Sequence, residues 1–128
     1  MVDNGRCYIV PVNFGYEMGG NRLVLYLHSA MKGRKIDILQ NNPQVCFEMD
    51  FGKLEAGETA CAYTYRYASV IGNGKAEMIH EKTQKEKALR LLMKQQTGKD
   101  FDFQNIPLDG VAVLQITADT FTCKSNLE

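Results

Sequence analysis

The sequence predicts a small α+β barrel, mainly antiparallel, with two covering helices. Three observations predict it. Short strand-like runs outnumber helical ones, turn residues such as Asn4-Gly5 and Gly19-Gly20-Asn21 punctuate them as hairpins require, and two glycines interrupt the longest run as at a barrel corner. The 128 residues suit one domain, long enough to bury a core without a disulfide or metal staple. Lys plus Arg and Asp plus Glu each number 15, so the formal net charge is zero, which argues against a general nucleic-acid binder and tolerates self-association. No apolar run is long enough to span a bilayer.

Asp3-Asn4-Gly5 opens the chain's organisation, because Asn-Gly suits the two positive-φ positions of a type I′ turn. Residues 6–12 read as the strand after it. Only Met1 and Val2 precede it, so half of this hairpin is expected to be missing. Met18-Gly19-Gly20-Asn21 makes the next turn, and residues 22–28 form a strand with Leu23, Leu25 and Leu27 on one face and Val24, Tyr26 and His28 on the other. Ser29 reads as the N-cap of a short helix over 31–40, which Asn41-Asn42-Pro43 stops. Residues 44–50 are a strand and the polar stretch 51–59 a surface loop. Residues 60–80 are strand-like, with Gly72 and Gly74 marking a bulge or a close backbone approach. Thr83-x-x-Glu86 fits a capping box before a helix over 84–96, and Gly98 ends that helix. A loop over 99–109, a last strand over 110–117 and a tail over 118–128 complete the chain.

The segment richest in chemistry is His28-Ser29-Ala30-Met31-Lys32-Gly33-Arg34-Lys35. Three cations stand near a helix start, where the aligned peptide dipoles already place partial positive charge. A bound phosphate would reverse the sign of each repulsion, accepting the free N–H groups, the Ser29 hydroxyl and the charge of Arg34 or Lys35, while Gly33 lets the backbone approach. A solvated basic face on a surface helix fits the same residues. Pro11 in Tyr8-Ile9-Val10-Pro11-Val12-Asn13-Phe14 leaves one strand edge unladdered, either to meet a flat heteroaromatic ligand or to blunt the edge against aggregation. Tyr63, Tyr65 and Tyr67 alternate onto one strand face, as core or interface packing does.

His28 and His80 are the only histidines, and no spacing assembles a Ser/His/Asp set or a metal cluster. Gly72-x-Gly74 lacks the third glycine and the strand–turn–helix setting of a dinucleotide fingerprint. Cys7, Cys46, Cys61 and Cys123 form no C-x-x-C pair, and three of them lie in apolar, strand-like runs as small hydrophobes. They are expected to be reduced cysteines of a cytoplasmic protein.

Tyr8-Ile9-Val10-Pro11-Val12-Asn13-Phe14-Gly15-Tyr16, then Tyr26-Leu27-His28-Ser29-Ala30-x-x-Gly33-Arg34-Lys35-x-Asp37, then Asn42-Pro43-x-Val45-Cys46-Phe47-Glu48, in this order, closely resemble the pyridoxamine 5′-phosphate oxidase-like flavoproteins, nearest the nitroimidazole-resistance type. Tyr65-Arg66-Tyr67-x-Ser69-Val70-x-Gly72-x-Gly74 and Ala88-Leu89-x-x-Leu92-Met93 extend the likeness over nearly the whole chain. The resemblance implies a single-domain FMN-binding split β-barrel that forms a homodimer, with FMN in the dimer grooves. It implies phosphate contacts from Ser29, Arg34 and Lys35 and the backbone of Ala30 and Gly33. The isoalloxazine would lie along Pro11, Val12 and Asn13, with His28 beside the phosphate or ribityl chain and Tyr67 and Ser69 reaching in from the partner. Members usually carry a helix and a first strand before the Asp-Asn-Gly turn, and this chain begins inside that strand. The pyridoxamine-phosphate contacts are not matched, so vitamin B6 oxidation is not implied.

The function expected on this resemblance is an FMN-dependent oxidoreductase. Electrons would pass from a reduced nicotinamide through the flavin to a small acceptor, possible acceptors including a nitroaromatic, and no side chain serves as acid or base. Two alternatives use the same fold: a non-catalytic module that stores or senses FMN or haem, and a dimeric interaction protein whose basic helix start holds nothing.

Overall fold

Asn4 and Gly5 both take positive φ, 49° and 78°, and close the turn their sequence predicts. The computed structural model describes all 128 residues. The turn joins β1 (Val2–Asp3) to β2 (Arg6–Cys7), with Val2 opposite Cys7 and Asp3 opposite Arg6. The half-hairpin expected to be missing is therefore present as two residues. The strand expected over 6–12 stops at Cys7, because Pro11 has no N–H for a ladder and the chain from Ile9 to Asn13 joins neither sheet.

The main sheet contains β3 (Phe14–Gly19), β4 (Arg22–Ala30), β5 (Gln44–Glu55), β6 (Thr64–Ile79) and β7 (Val111–Ser125) in the order β3-β4-β7-β6-β5, antiparallel throughout. Strands β3 and β5 are its two free edges. The sheet does not close on itself, so the architecture is a split barrel of the predicted class. Two helices cover it, α1 (Arg34–Asn41) and α2 (Lys82–Thr97).

Strand β4 is buried on both faces from Leu23 to Leu27. Leu23, Leu25 and Leu27 join Ile36 of α1, Val45, Ala112, Leu114 and Ile116 in one core. Val24 and Tyr26 face the other way, into a second core with Ala88 and Leu89 of α2, Leu108 and Val113. The two-sided alternation predicted for β4 thus corresponds to two separate cores. Gly15 makes the second one possible. A Cβ at that position would overlap the backbone of Leu91 and Leu92, so only glycine lets α2 lie against β3.

Further expectations need correction. Strand β5 runs on to Glu55 and β7 to Ser125, where a loop and a tail were expected, because both pair with the equally long β6. The helix start at Thr83 is capped instead by Glu81, whose carboxylate accepts from the N–H groups of Thr83 and Gln84 at 2.9 and 2.8 Å. Ser29 is not an N-cap: the β4–β7 ladder continues through Ser29↔Ala112 and Ala30↔Val111, and α1 begins only after Gly33. All four cysteines are free and exposed rather than packed as small hydrophobes. The bulge forms as expected, between Asn73 and Gly74, and left-handed Gly98 ends α2.

Candidate functional site

The chain's corner where β4 hands over to α1 gathers most of the residues singled out by sequence. Phe14 pairs with Leu27, so Asn13 comes to the level of His28 near the end of β4, and the unladdered Pro11 and Val12 lead into it. Pro11, Val12, Asn13, His28 and Ala30 are exposed there, and Ser29 is half-buried.

The start of α1 is open. No side chain caps it, and Gly33, at φ 138°, holds a backbone conformation that L side chains rarely adopt. A Cβ added at Gly33 would meet nothing within 4 Å. Asp37 N–H already bonds the Gly33 carbonyl at 3.1 Å, which leaves the N–H groups of Arg34, Lys35 and Ile36 as the helix's unused donors.

The three cations differ. Lys32 and Lys35 form no ion pair, whereas Arg34 is engaged. Its Nη2 and Nε donate to the same Asp3 oxygen at 2.9 and 3.2 Å, and its guanidinium lies 4.1 Å over the Tyr8 ring. The Tyr8 backbone is tied to Met1 on the far side of the turn, N–H to carbonyl at 2.9 Å. Asp3 and Tyr8 are thus the contacts that sequence reasoning missed. Their signal, a carboxylate in the turn and an aromatic after it, has no fixed spacing from Arg34.

Tyr67 and Ser69 are not part of this corner. Ser29 pairs with Ala112 while Ser69 pairs with Lys124, twelve residues further along β7. That is about 40 Å of extended strand, so one chain cannot bring the two groups together. Around them the overhang of β5 and β6 leaves Phe51, Leu54, Tyr65 and Ile71 at least half exposed.

A phosphate-bearing group fits the corner. The donors on offer are uncapped helix N–H groups, the Ser29 hydroxyl and the unpaired Lys35, with no carboxylate competing for Lys35. No group of three or more His, Cys, Asp or Glu side chains that could hold a metal ion occurs. No helix is long and apolar enough to cross a membrane.

A cavity of about 400 Å³ lies elsewhere, on the α2 side of the sheet between Glu17, Arg22, Tyr26, Gln84, Lys87 and Gln115. Its charges are largely spent on one another. The Tyr26 hydroxyl donates to Glu17 at 2.5 Å and Lys87 pairs with the same carboxylate at 2.8 Å. The bonds from Lys87 and Tyr26 hold the Glu17 carboxyl below its ordinary value, and burial with the Glu17 bond pushes the Tyr26 phenol up to about 12. This network braces α2 against β3 and β4.

Comparison with known proteins agrees with the fold. The family model described as Pyridoxamine 5′-phosphate oxidase matches residues 1–125. A crystal structure from Bacteroides thetaiotaomicron, of a candidate 5-nitroimidazole antibiotic resistance protein, is 35% identical, with 93% of this chain and 69% of that chain covered and a TM-score of 0.76. The flavocytochrome Anf3 of Azotobacter vinelandii is 21% identical, with 98% and 58% covered and a TM-score of 0.68. An FAD- and haem-binding protein from Mycobacterium smegmatis is 15% identical, with 99% and 63% covered and a TM-score of 0.70. These last two likenesses bear on the fold alone, and the chain spans less than two thirds of either protein. No curated protein matches the chain.

Proposed function

The chain belongs to the pyridoxamine 5′-phosphate oxidase family, and from that membership we propose that it is an FMN-dependent oxidoreductase working as a homodimer. The observation that carries the reading is the open, uncapped start of α1 with Lys35 unpaired beside it, set against the unladdered run Pro11, Val12 and Asn13. When bound, the flavin would supply the redox chemistry between a reduced nicotinamide and a small acceptor such as a nitroaromatic compound.

The protein's part is binding and orientation. Ser29, Lys35 and the first N–H groups of α1 hold the phosphate, and Gly33 keeps the approach to them clear. Arg34 adds a second charge. The N–H and carbonyl groups of Val12 and Asn13, which join no ladder, would hold the polar edge of the ring system, with Pro11 and His28 also lining its site. No acid or base side chain is required for hydride transfer. Tyr67 and Ser69 serve the site of a second copy, which accounts for their distance from Ser29 within one chain and for the apolar overhang around them.

An absorption spectrum of the purified protein tests this, together with the mass of whatever heat releases from it. The expected result is yellow protein with flavin bands, release of FMN, bleaching by NADH or NADPH, and a solution mass twice that of the 14.4 kDa chain. Colourless protein that also fails to take up added FMN contradicts the proposal. Bound flavin that neither nicotinamide reduces would make the protein a binding module instead.

A further inference from the structure

One positive charge is left over beside the Glu17–Lys87–Tyr26 network. The cavity of about 400 Å³ lies between the N-terminal half of α2 and the sheet face that the helix covers, and its volume suits a small-molecule ligand. Val24, Ile79 and Tyr26 line it and are all buried, so its floor is apolar. The Arg22 guanidinium and the carboxamides of Gln84 and Gln115 also line it, and none of these side chains forms a hydrogen bond or an ion pair. The charges of Glu17 and Lys87 cancel in their ion pair, which leaves that of Arg22 in surplus. It bears on the same space: the guanidinium helps lower the Glu17 carboxyl and opposes the rise at the Tyr26 phenol.

These groups define the ligand. Its charge is a single negative one, because a second would face the Glu17 carboxylate with no cation left to meet it. A carboxylate matches a guanidinium through two parallel bonds, and a flat ring covers the apolar floor. Each carboxamide both donates and accepts, so polar substituents on the ring find partners. We propose that this cavity is a second ligand site, for a small aromatic monocarboxylate whose carboxylate meets Arg22 and whose ring rests on Val24, Ile79 and Tyr26. It is separate from the corner at the start of α1: Arg22 and Ser29 stand near opposite ends of β4, about 23 Å apart along an extended strand. The inference goes beyond the flavin reading and does not depend on it.

Benzoate is the minimal probe, and benzamide is its neutral counterpart of the same shape. Both are titrated into the full chain, with and without FMN, and followed by the N–H signals in NMR spectra. Benzoate is expected to shift the carboxamide signals of Gln84 and Gln115 and the Nε–H of Arg22, with a Kd of roughly 1 mM for so small a ligand. Benzamide is expected to bind about tenfold more weakly, and Arg22→Gln to weaken benzoate by about the same factor, through loss of one charge-assisted pair. Arg22 is exposed and has no partner, so the variant keeps the fold and the wild-type pattern of signals elsewhere. Benzoate that leaves these signals in place, benzamide that binds as tightly, or unchanged affinity in Arg22→Gln overturns the site. Shifts confined to the start of α1, or displacement of benzoate by FMN, overturn it as well. Failure of the protein to bind FMN, with the benzoate shifts intact, overturns the flavin reading and leaves this site standing.

Discussion

Two clusters in this molecule have the same ingredients, a carboxylate, a cation and a tyrosine, and opposite characters. At Glu17 the carboxylate is shared by Lys87 and Tyr26, the two contacts tie β3 to α2 and β4, and the charges of Glu17 and Lys87 cancel. At Arg34 the carboxylate comes from a two-pair hairpin, the tyrosine lies under the cation, and Lys32, Lys35 and an uncapped helix start remain in positive surplus. The first cluster is a brace and the second the seat proposed for a phosphate. Surplus charge, rather than the presence of ionisable side chains or the size of the nearby cavity, tells them apart.

The sharpest way to break the brace is Gly15→Ala. The added methyl overlaps the backbone of α2, so the helix must shift and carry Lys87 away from Glu17. A loss of about 3 kcal/mol in urea unfolding is expected. An alanine variant of wild-type stability would show that α2 does not pack on β3 as described.

Breaking the seat affects binding and not folding. Arg34→Ala combined with Lys35→Ala is expected to weaken FMN on the order of a hundredfold, allowing for the exposure of Arg34, with an unfolding midpoint close to wild type. Unchanged affinity in the double variant removes both residues from the site.

Tyr26→Phe reverses that pattern, with a stability loss of about 1 kcal/mol and no effect on FMN. Its signature is in the pH profile. The ordinary phenol value is 10.0 and the folded value about 12. Between them the unfolded chain gives up the proton first, so wild-type stability falls as pH rises through this window. Tyr26→Phe should flatten that fall. Glu17 acts at the other end: its carboxyl is lowered from 4.5, so its contribution is present above that pH and disappears as pH drops through the lower folded value. The smallest effect is expected for Lys87→Ala, about 0.5–1 kcal/mol by denaturant titration, because that pair is mostly exposed. A larger loss would mean the brace carries more than an exposed ion pair can.

The contrast also shows what the sequence made legible. Leu23, Leu25 and Leu27 against Val24 and Tyr26 were readable because strand alternation is local, and Asn4-Gly5 because its turn depends on two residues alone. The ends of β5 and β7 were not readable, since Phe51, Lys53 and Glu55 belong to a strand only by virtue of their partners in β6. The cation cluster was found from its misplaced charge, yet Ser29 was given the wrong local role, because a ladder to Ala112, remote in sequence, outweighs a serine's capping preference. Asp3 and Tyr8 were invisible as partners of Arg34 for the same reason: the contact spans thirty-one residues and follows no period.

Side-by-side equilibrium titrations of FMN and riboflavin into the wild-type protein and Lys35→Ala test the central claim most directly. If the start of α1 is a phosphate seat, FMN binds on the order of a hundredfold more tightly than riboflavin, and Lys35→Ala closes that gap by about tenfold. Equal affinity for the two flavins in the wild-type protein would contradict it.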